Sequence, residues 1–205
     1  MKILLMADGS VGLKLARWLI ENYPEDLTAV IGIAENDIVF FAQSKCIPTL
    51  IFGSEEESIS NISLYPQADL GILAWWPKLV SSRILSSTRL GFINTHPSLL
   101  PHNRGKHYNF WALVEQAPFG VSLHFVDEGI DSGDVIAQSS IFYDCEDTGE
   151  SLYLKVQEEM FVPEGQAPQG NEYAYNEHAE VVNSNEAEIA SKPVHVTSNG
   201  NVVQD

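Results

Sequence analysis

The chain has 205 residues, 44% of them apolar, and a formal net charge of −17 at pH 7. That length buries a core without disulfides or a structural metal, and so acidic a surface repels phosphate backbones, which argues against an extended nucleic-acid interface. Cys46 and Cys145 are far apart and have no metal-ligand spacing, so no metal site and two reduced thiols in a cytoplasmic protein are expected. Ile3 to Ala7 is a continuous apolar run of the kind a central parallel strand needs. It is too short for a signal peptide, and no segment has the apolar length of a membrane span. Asp8-Gly9-Ser10 breaks the run; Val11, Leu13, Leu15, Ala16, Leu19 and Ile20 then recur at mostly helical spacing until Pro24. Thr28 to Ile33 reads as a second strand. Asn36 to Ser44 reads as a short helix, with Glu35 and Asp37 near its start and Lys45 at its end, where the helix dipole favours them. Thr49 to Phe52 is a third strand. Ser54 to Tyr65, with three consecutive glutamates and several serines, reads as a surface loop or poor helix.

Leu70 to Trp75 and Gly91 to Thr95 are the fourth and fifth strands, with a short helix suggested between them by Leu79, Val80, Ile84 and Leu85. Tyr108 to Gln116 is helical, and Gly120 to Val126 and Val135 to Phe142 are two further strands. Thr148, followed by Glu150 and Ser151, caps a helix running to about Met160. Strands alternating with helices predict an α/β fold with a mainly parallel sheet. After Phe161 the chain turns rich in Asn, Glu, Gly and Ser with sparse valines. The division expected is a domain over 1–160 and an acidic, irregular, weakly packed tail over 161–205 with one or two short strands.

In an open α/β sheet ligands sit outside the carboxyl ends of the strands. Asn94, Thr95 and His96 lie where the fifth strand ends, and Pro97 and Pro101 stiffen the loop that follows. Further on, Leu123 to Asp134 closes one strand and opens the next. Gly129 and Gly133 there allow positive φ and close backbone approach, and they display Asp131 on a tight turn. If the fifth and sixth strands are neighbours, Asp131 and His96 converge. Such a set suits acyl transfer to an amine. Asn94 and a protonated His96 would donate to the developing oxyanion, and Asp131 would raise the His96 pKa and accept the amine's proton. Taken singly each residue has a structural reading: His96 as a hydrogen-bonding group beside a proline, Asn94 as a turn residue, Asp131 as a turn former. Asp127 and His124 suit structural or proton-relay roles. Arg104-Gly105-Lys106-His107 opens a helix and reads either as a phosphate site or as a solvated basic turn. Asp8-Gly9-Ser10-Val11-Gly12 lacks the dinucleotide fingerprint, so NAD is not expected.

Asn94-Thr95-His96-Pro97-Ser98-Leu99-Leu100-Pro101, followed by Asp127-Glu128-Gly129-Ile130-Asp131-Ser132-Gly133, resembles the folate-dependent formyltransferase family over residues 1 to 160, most closely its sugar-nucleotide N-formyltransferase branch. The resemblance implies a Rossmann-like sheet with helices on both faces and Asn94, His96 and Asp131 as catalytic residues. It implies 10-formyltetrahydrofolate as donor, held by Leu73, Ala74, Trp75, Trp76 and Pro77 and by Val126, Asp127 and Gly129 before the aspartate. Trp75 and Trp76 are equally readable as core or interface aromatics. Ser98, Arg104, Gly105, Lys106 and His107 would contact the acceptor, a nucleotide-linked amino sugar. Phosphoribosylglycinamide is the alternative acceptor, and a ligand-binding domain without turnover a third reading. The implied partners are small molecules, with neither nucleic acid nor membrane, and a homodimer is possible. The stretch after Phe161 departs from the family's usual continuation.

Overall fold

The computed structural model describes residues 1–160 and, as backbone, the strands Val194–Val196 and Val202–Gln204. Those two strands pair antiparallel; the weak packing expected of the rest of 161–205 lies outside the described residues. The main sheet is built from β1 (Ile3–Ala7), β2 (Leu27–Gly32), β3 (Thr49–Ile51), β4 (Leu70–Ala74), β5 (Phe92–His96), β6 (Gly120–Phe125) and β7 (Val135–Ser140). Their order is β3-β2-β1-β4-β5-β6-β7. The first five strands are parallel, and β6 and β7 join antiparallel.

Both faces of the parallel part are covered, which is why β1 and β2 are buried at every position and, Thr28 apart, apolar. Ile3, Leu5 and Ala7 pack on one face with Leu19 and Ile20 of α1 (Gly9–Asn22) and Ile38 and Ala42 of α2 (Asp37–Ser44). Leu4 and Met6 pack on the other with Phe92, with Ile59 and Ile62 of α3 (Glu55–Ile62) and with Ile84 of α4 (Ser82–Leu85). A third cluster joins Ala112 of α5 (Tyr108–Glu115), Phe119, and Leu152 and Val156 of α6 (Gly149–Glu159). Gly71 lets β5 lie close: a Cβ there would fall 2.2 Å from Cδ1 of Phe92.

Over Ser54 to Tyr65 the structure takes the second of the two readings, loop or poor helix: the eight residues Glu55–Ile62 form a regular helix. The Ser54 hydroxyl accepts the Glu57 N–H at 3.3 Å, and the Glu57 carboxylate accepts the Ser54 N–H at 3.0 Å. This reciprocal cap, with two isoleucines on the inner face, stabilises a helix whose polar composition argues for a loop. The expected cap at Thr148 forms the same way with Ser151. At α2 the cap is the Asn36 side chain, which accepts from the N–H groups of Ile38 and Val39.

Candidate active site

The site grows from the antiparallel pairing of β5 and β6, which sets Asn94 opposite His124 and His96 opposite Ser122. Strand side chains alternate between faces, so Asn94, His96, Ser122 and His124 share one face. The next pairing continues the row from Ser122 to Gln138 on β7. Asn94 and His96 therefore lie within the last residues of β5 rather than in the loop beyond it.

Asp131 stands on the β6–β7 turn over this face. One carboxylate oxygen lies 3.3 Å from His96 Nδ1 and accepts the Gly105 N–H at 2.9 Å. The other lies 3.6 Å from His124 Nε2. The turn departs from expectation in one respect: its residue with positive φ is Asp131 itself, at 48°, and neither Gly129 nor Gly133 is in that region. Gly133 is needed instead for close approach, since a Cβ there would fall 2.0 Å from the Phe125 carbonyl oxygen. Asp127 closes the turn locally, accepting the Gly129 N–H at 3.0 Å and the Ser132 hydroxyl at 2.8 Å.

His96 is 6% exposed. Burial pushes its pKa below the ordinary histidine value, and the neighbouring Asp131 carboxylate and Asn103 carbonyl only partly oppose this. The expected protonated His96 is thus corrected: desolvation outweighs the carboxylate, and the ring is neutral near pH 7. Its nitrogens face two acceptors, Asp131 at Nδ1 and the Asn103 carbonyl 3.4 Å from Nε2. A neutral ring donates to only one of them, and the carboxylate is the stronger acceptor, so the proton belongs on Nδ1. His124 is oriented by its own strand: Nδ1 donates to the Phe125 carbonyl at 2.7 Å, which leaves Nε2 to accept from the Asn94 amide at 3.3 Å. That bond uses one Asn94 N–H and leaves the other for a ligand.

The remaining candidates divide. Arg104, Lys106 and His107 are exposed, and neither Arg104 nor Lys106 has an ion-pair partner among the described residues. His107 is the N-cap of α5, at φ 62°, and Gly105 holds φ 77°. Ser98 does not reach a ligand: it is fully buried and its hydroxyl donates to the His102 carbonyl at 2.7 Å. Leu73 and Ala74 are buried in the core, so they offer a ligand backbone only. The two tryptophans turn to different clusters. Trp75, at φ 56°, packs edge-on to Tyr153, and Trp76 packs edge-on to Phe52. Trp76 Nε1 is buried without a hydrogen-bond partner among the described residues, and Val126 joins the same cluster. Pro77 and Gly129 are exposed. A groove of about 780 Å³ lined by Leu113, Phe119, Ile141, Phe142 and Tyr143 does not include Asn94, His96 or Asp131, so volume alone does not find the chemistry.

Two parts of the site were not singled out from sequence. The Gly105 N–H on Asp131 is a backbone contact and leaves no trace in composition. Ser122 was detectable only as a period-two echo, since Ser122-Leu123-His124 mirrors Asn94-Thr95-His96, and its pairing with Gln138 appears only in the register of β6 and β7.

The family model for formyl transferase matches residues 36–161. Methionyl-tRNA formyltransferase of Agathobacter rectalis is 40% identical over 93 residues, which is 45% of this chain and 30% of that protein. Cytosolic 10-formyltetrahydrofolate dehydrogenase of Homo sapiens is 32% identical over 112 residues, 49% of this chain and 12% of that protein. The matches thus span about a third or less of these curated relatives. Among solved structures, phosphoribosylglycinamide formyltransferase from Bacillus halodurans superposes with a TM-score of 0.67 at 27% identity, covering 78% of this chain and 89% of that one.

Proposed function

The chain belongs to the formyl transferase family, and we propose that it moves a formyl group from 10-formyltetrahydrofolate to a primary amine. The observation that carries this reading is the meeting of Asn94, the buried His96 and Asp131 on one sheet face. The donor would supply the formyl carbon. Trp76 and Val126 would border its ring system: the unpartnered indole N–H fits a ring edge that carries acceptor nitrogens and a carbonyl.

Each residue then has a task. The free N–H of Asn94 points its charge at the position where a carbonyl oxygen becomes negative, a contribution of about 3 kcal/mol to the transition state. His96, neutral and held by Asp131 through Nδ1, presents the Nε2 lone pair and takes the proton that an attacking amine sheds. Asp131 stabilises the imidazolium so formed. No protein nucleophile is required: the amine attacks the formyl carbon, the bond from that carbon to the donor nitrogen breaks, and the imidazolium returns the proton to that nitrogen as tetrahydrofolate leaves.

The acceptor is read from Arg104 and Lys106, cations without ion-pair partners among the described residues, which flank the glycine bonded to Asp131. They suit an amine that carries phosphate, and the acceptor proposed is a nucleotide-linked amino sugar. A second reading, phosphoribosylglycinamide, is favoured by the 27% identity to the Bacillus halodurans enzyme over 89% of its length. Release of tetrahydrofolate is to be followed with each amine in turn. Turnover with amino sugars attached to thymidine or uridine diphosphate is expected; turnover with phosphoribosylglycinamide alone selects the second reading, and none with any amine defeats both.

A further inference from the structure

We propose that Gln138, on the edge strand β7, is a positioning residue for the reacting groups, a role that rests on the reading of Asn94, His96 and Asp131 given above. Gln138 stands at the end of the row His96–Ser122–Gln138 that crosses β5, β6 and β7. Its half-buried side-chain amide donates to the Leu100 carbonyl at 2.7 Å and to the Ser122 hydroxyl at 2.8 Å. Ser122 is buried, donates to the Ser98 carbonyl at 2.7 Å and accepts the Leu100 N–H at 3.0 Å. These four bonds pin residues 98–100 to the sheet.

The far half of the same loop supplies the contact that aims the site. The Gly105 N–H holds the Asp131 carboxylate, which in turn accepts from His96 Nδ1, and the Asn103 carbonyl, 3.4 Å from His96 Nε2, stands ready to accept from that nitrogen once the ring is protonated. The loop is therefore a jig, clamped by Ser122 and Gln138 at its start and reading out on His96 and Asp131 at its end. Gln138 is the only member of that clamp that reaches the loop from β7, so it ties the reacting groups to a strand that carries none of them. Without its two donors the Leu100 carbonyl has no partner in this network, and Ser122 alone holds the loop.

The test is Gln138→Met, which keeps length and removes both donors. In the full chain, turnover with 10-formyltetrahydrofolate and a phosphate-bearing amine is expected to show kcat lowered about tenfold with the donor KM within about twofold, as misplacement without lost binding requires. The ¹⁵N resonances of the His96 ring are expected to shift and its titration midpoint to move, neither of which a purely stabilising side chain would cause in a folded variant. Gln138→Glu, which replaces the donors with acceptors at the same shape, should displace the same resonances, and it stands in if the Met variant does not fold. Unmoved His96 resonances in whichever variant folds, or an unchanged kcat, overturn the proposal. Absence of turnover in the unaltered chain instead overturns the formyl-transfer reading, and the His96 resonances then decide the clamp on their own.

Discussion

Replacing Gly133 with alanine should displace the turn that carries Asp131. The new Cβ would stand 2.0 Å from the Phe125 carbonyl oxygen and 2.8 Å from its carbon. Both are backbone atoms of β6, so no side chain can swing away. Reaching an ordinary contact of 3.4 Å means opening the gap by about 1.4 Å, past the scale of about 1 Å at which misplacement costs roughly 100-fold in rate. Either partner can move, and both movements are costly. If the turn shifts, the 3.3 Å approach of Asp131 to His96 is lost. If the Phe125 carbonyl shifts, the 2.7 Å bond that orients His124 breaks. The overpacking should also destabilise the fold by about 1–3 kcal/mol. Gly129→Ala is the control within the same turn. Its Cβ meets the Ser132 hydroxyl oxygen at 2.0 Å, and that side chain can rotate, giving up its bonds to Asp127 at a cost of about 1 kcal/mol. Steady-state turnover and thermal unfolding of both variants beside the unaltered chain decide the matter. A Gly133→Ala enzyme with undiminished kcat, or a Gly129→Ala enzyme equally impaired, would refute the reasoning.

Asp131→Asn should lower turnover by about 10²–10⁴-fold while folate binding, followed by fluorescence or calorimetry, stays largely intact. Undiminished turnover would mean that the carboxylate has no part in the proton transfer. Because burial lowers the His96 pKa, the acid limb of the kcat/KM profile assigned to His96 should have its midpoint below the ordinary histidine value of 6.5, and a midpoint above it would contradict the neutral-base role. The same shift has a stability consequence. Between the lowered folded value and 6.5 the unfolded chain binds the extra proton, so stability rises with pH through that window and falls as pH drops through it. His96→Gln should flatten that slope in urea titrations. Phe92, the first residue of β5, 1% exposed and set against Gly71, should cost about 3–5 kcal/mol on replacement by alanine, a fall in Tm on the order of 10 °C by thermal scan.

How much was legible beforehand can be judged residue by residue. β1 is visible because a strand buried on both faces must be apolar throughout. Asn94, His96 and Asp131 are visible because strand ends and glycine-flanked turns are where a sheet of this kind displays reactive groups. The helix after Ser54 was obscured because composition averages over a segment, whereas a cap acts through two specific bonds. The charge state of His96 was misjudged for a related reason: the motif shows the carboxylate partner and hides the desolvation, which depends on every atom packed around the ring. The sequence by itself therefore determined the mainly parallel α/β framework and singled out the side chains proposed to react, since periodicity and residue chemistry are local properties. Tertiary structure alone decided which proton His96 holds, that Ser98 is sealed in the core, and that Gly105, Ser122 and Gln138 hold the site, because these follow from cross-strand register and burial, which arise only when distant segments meet.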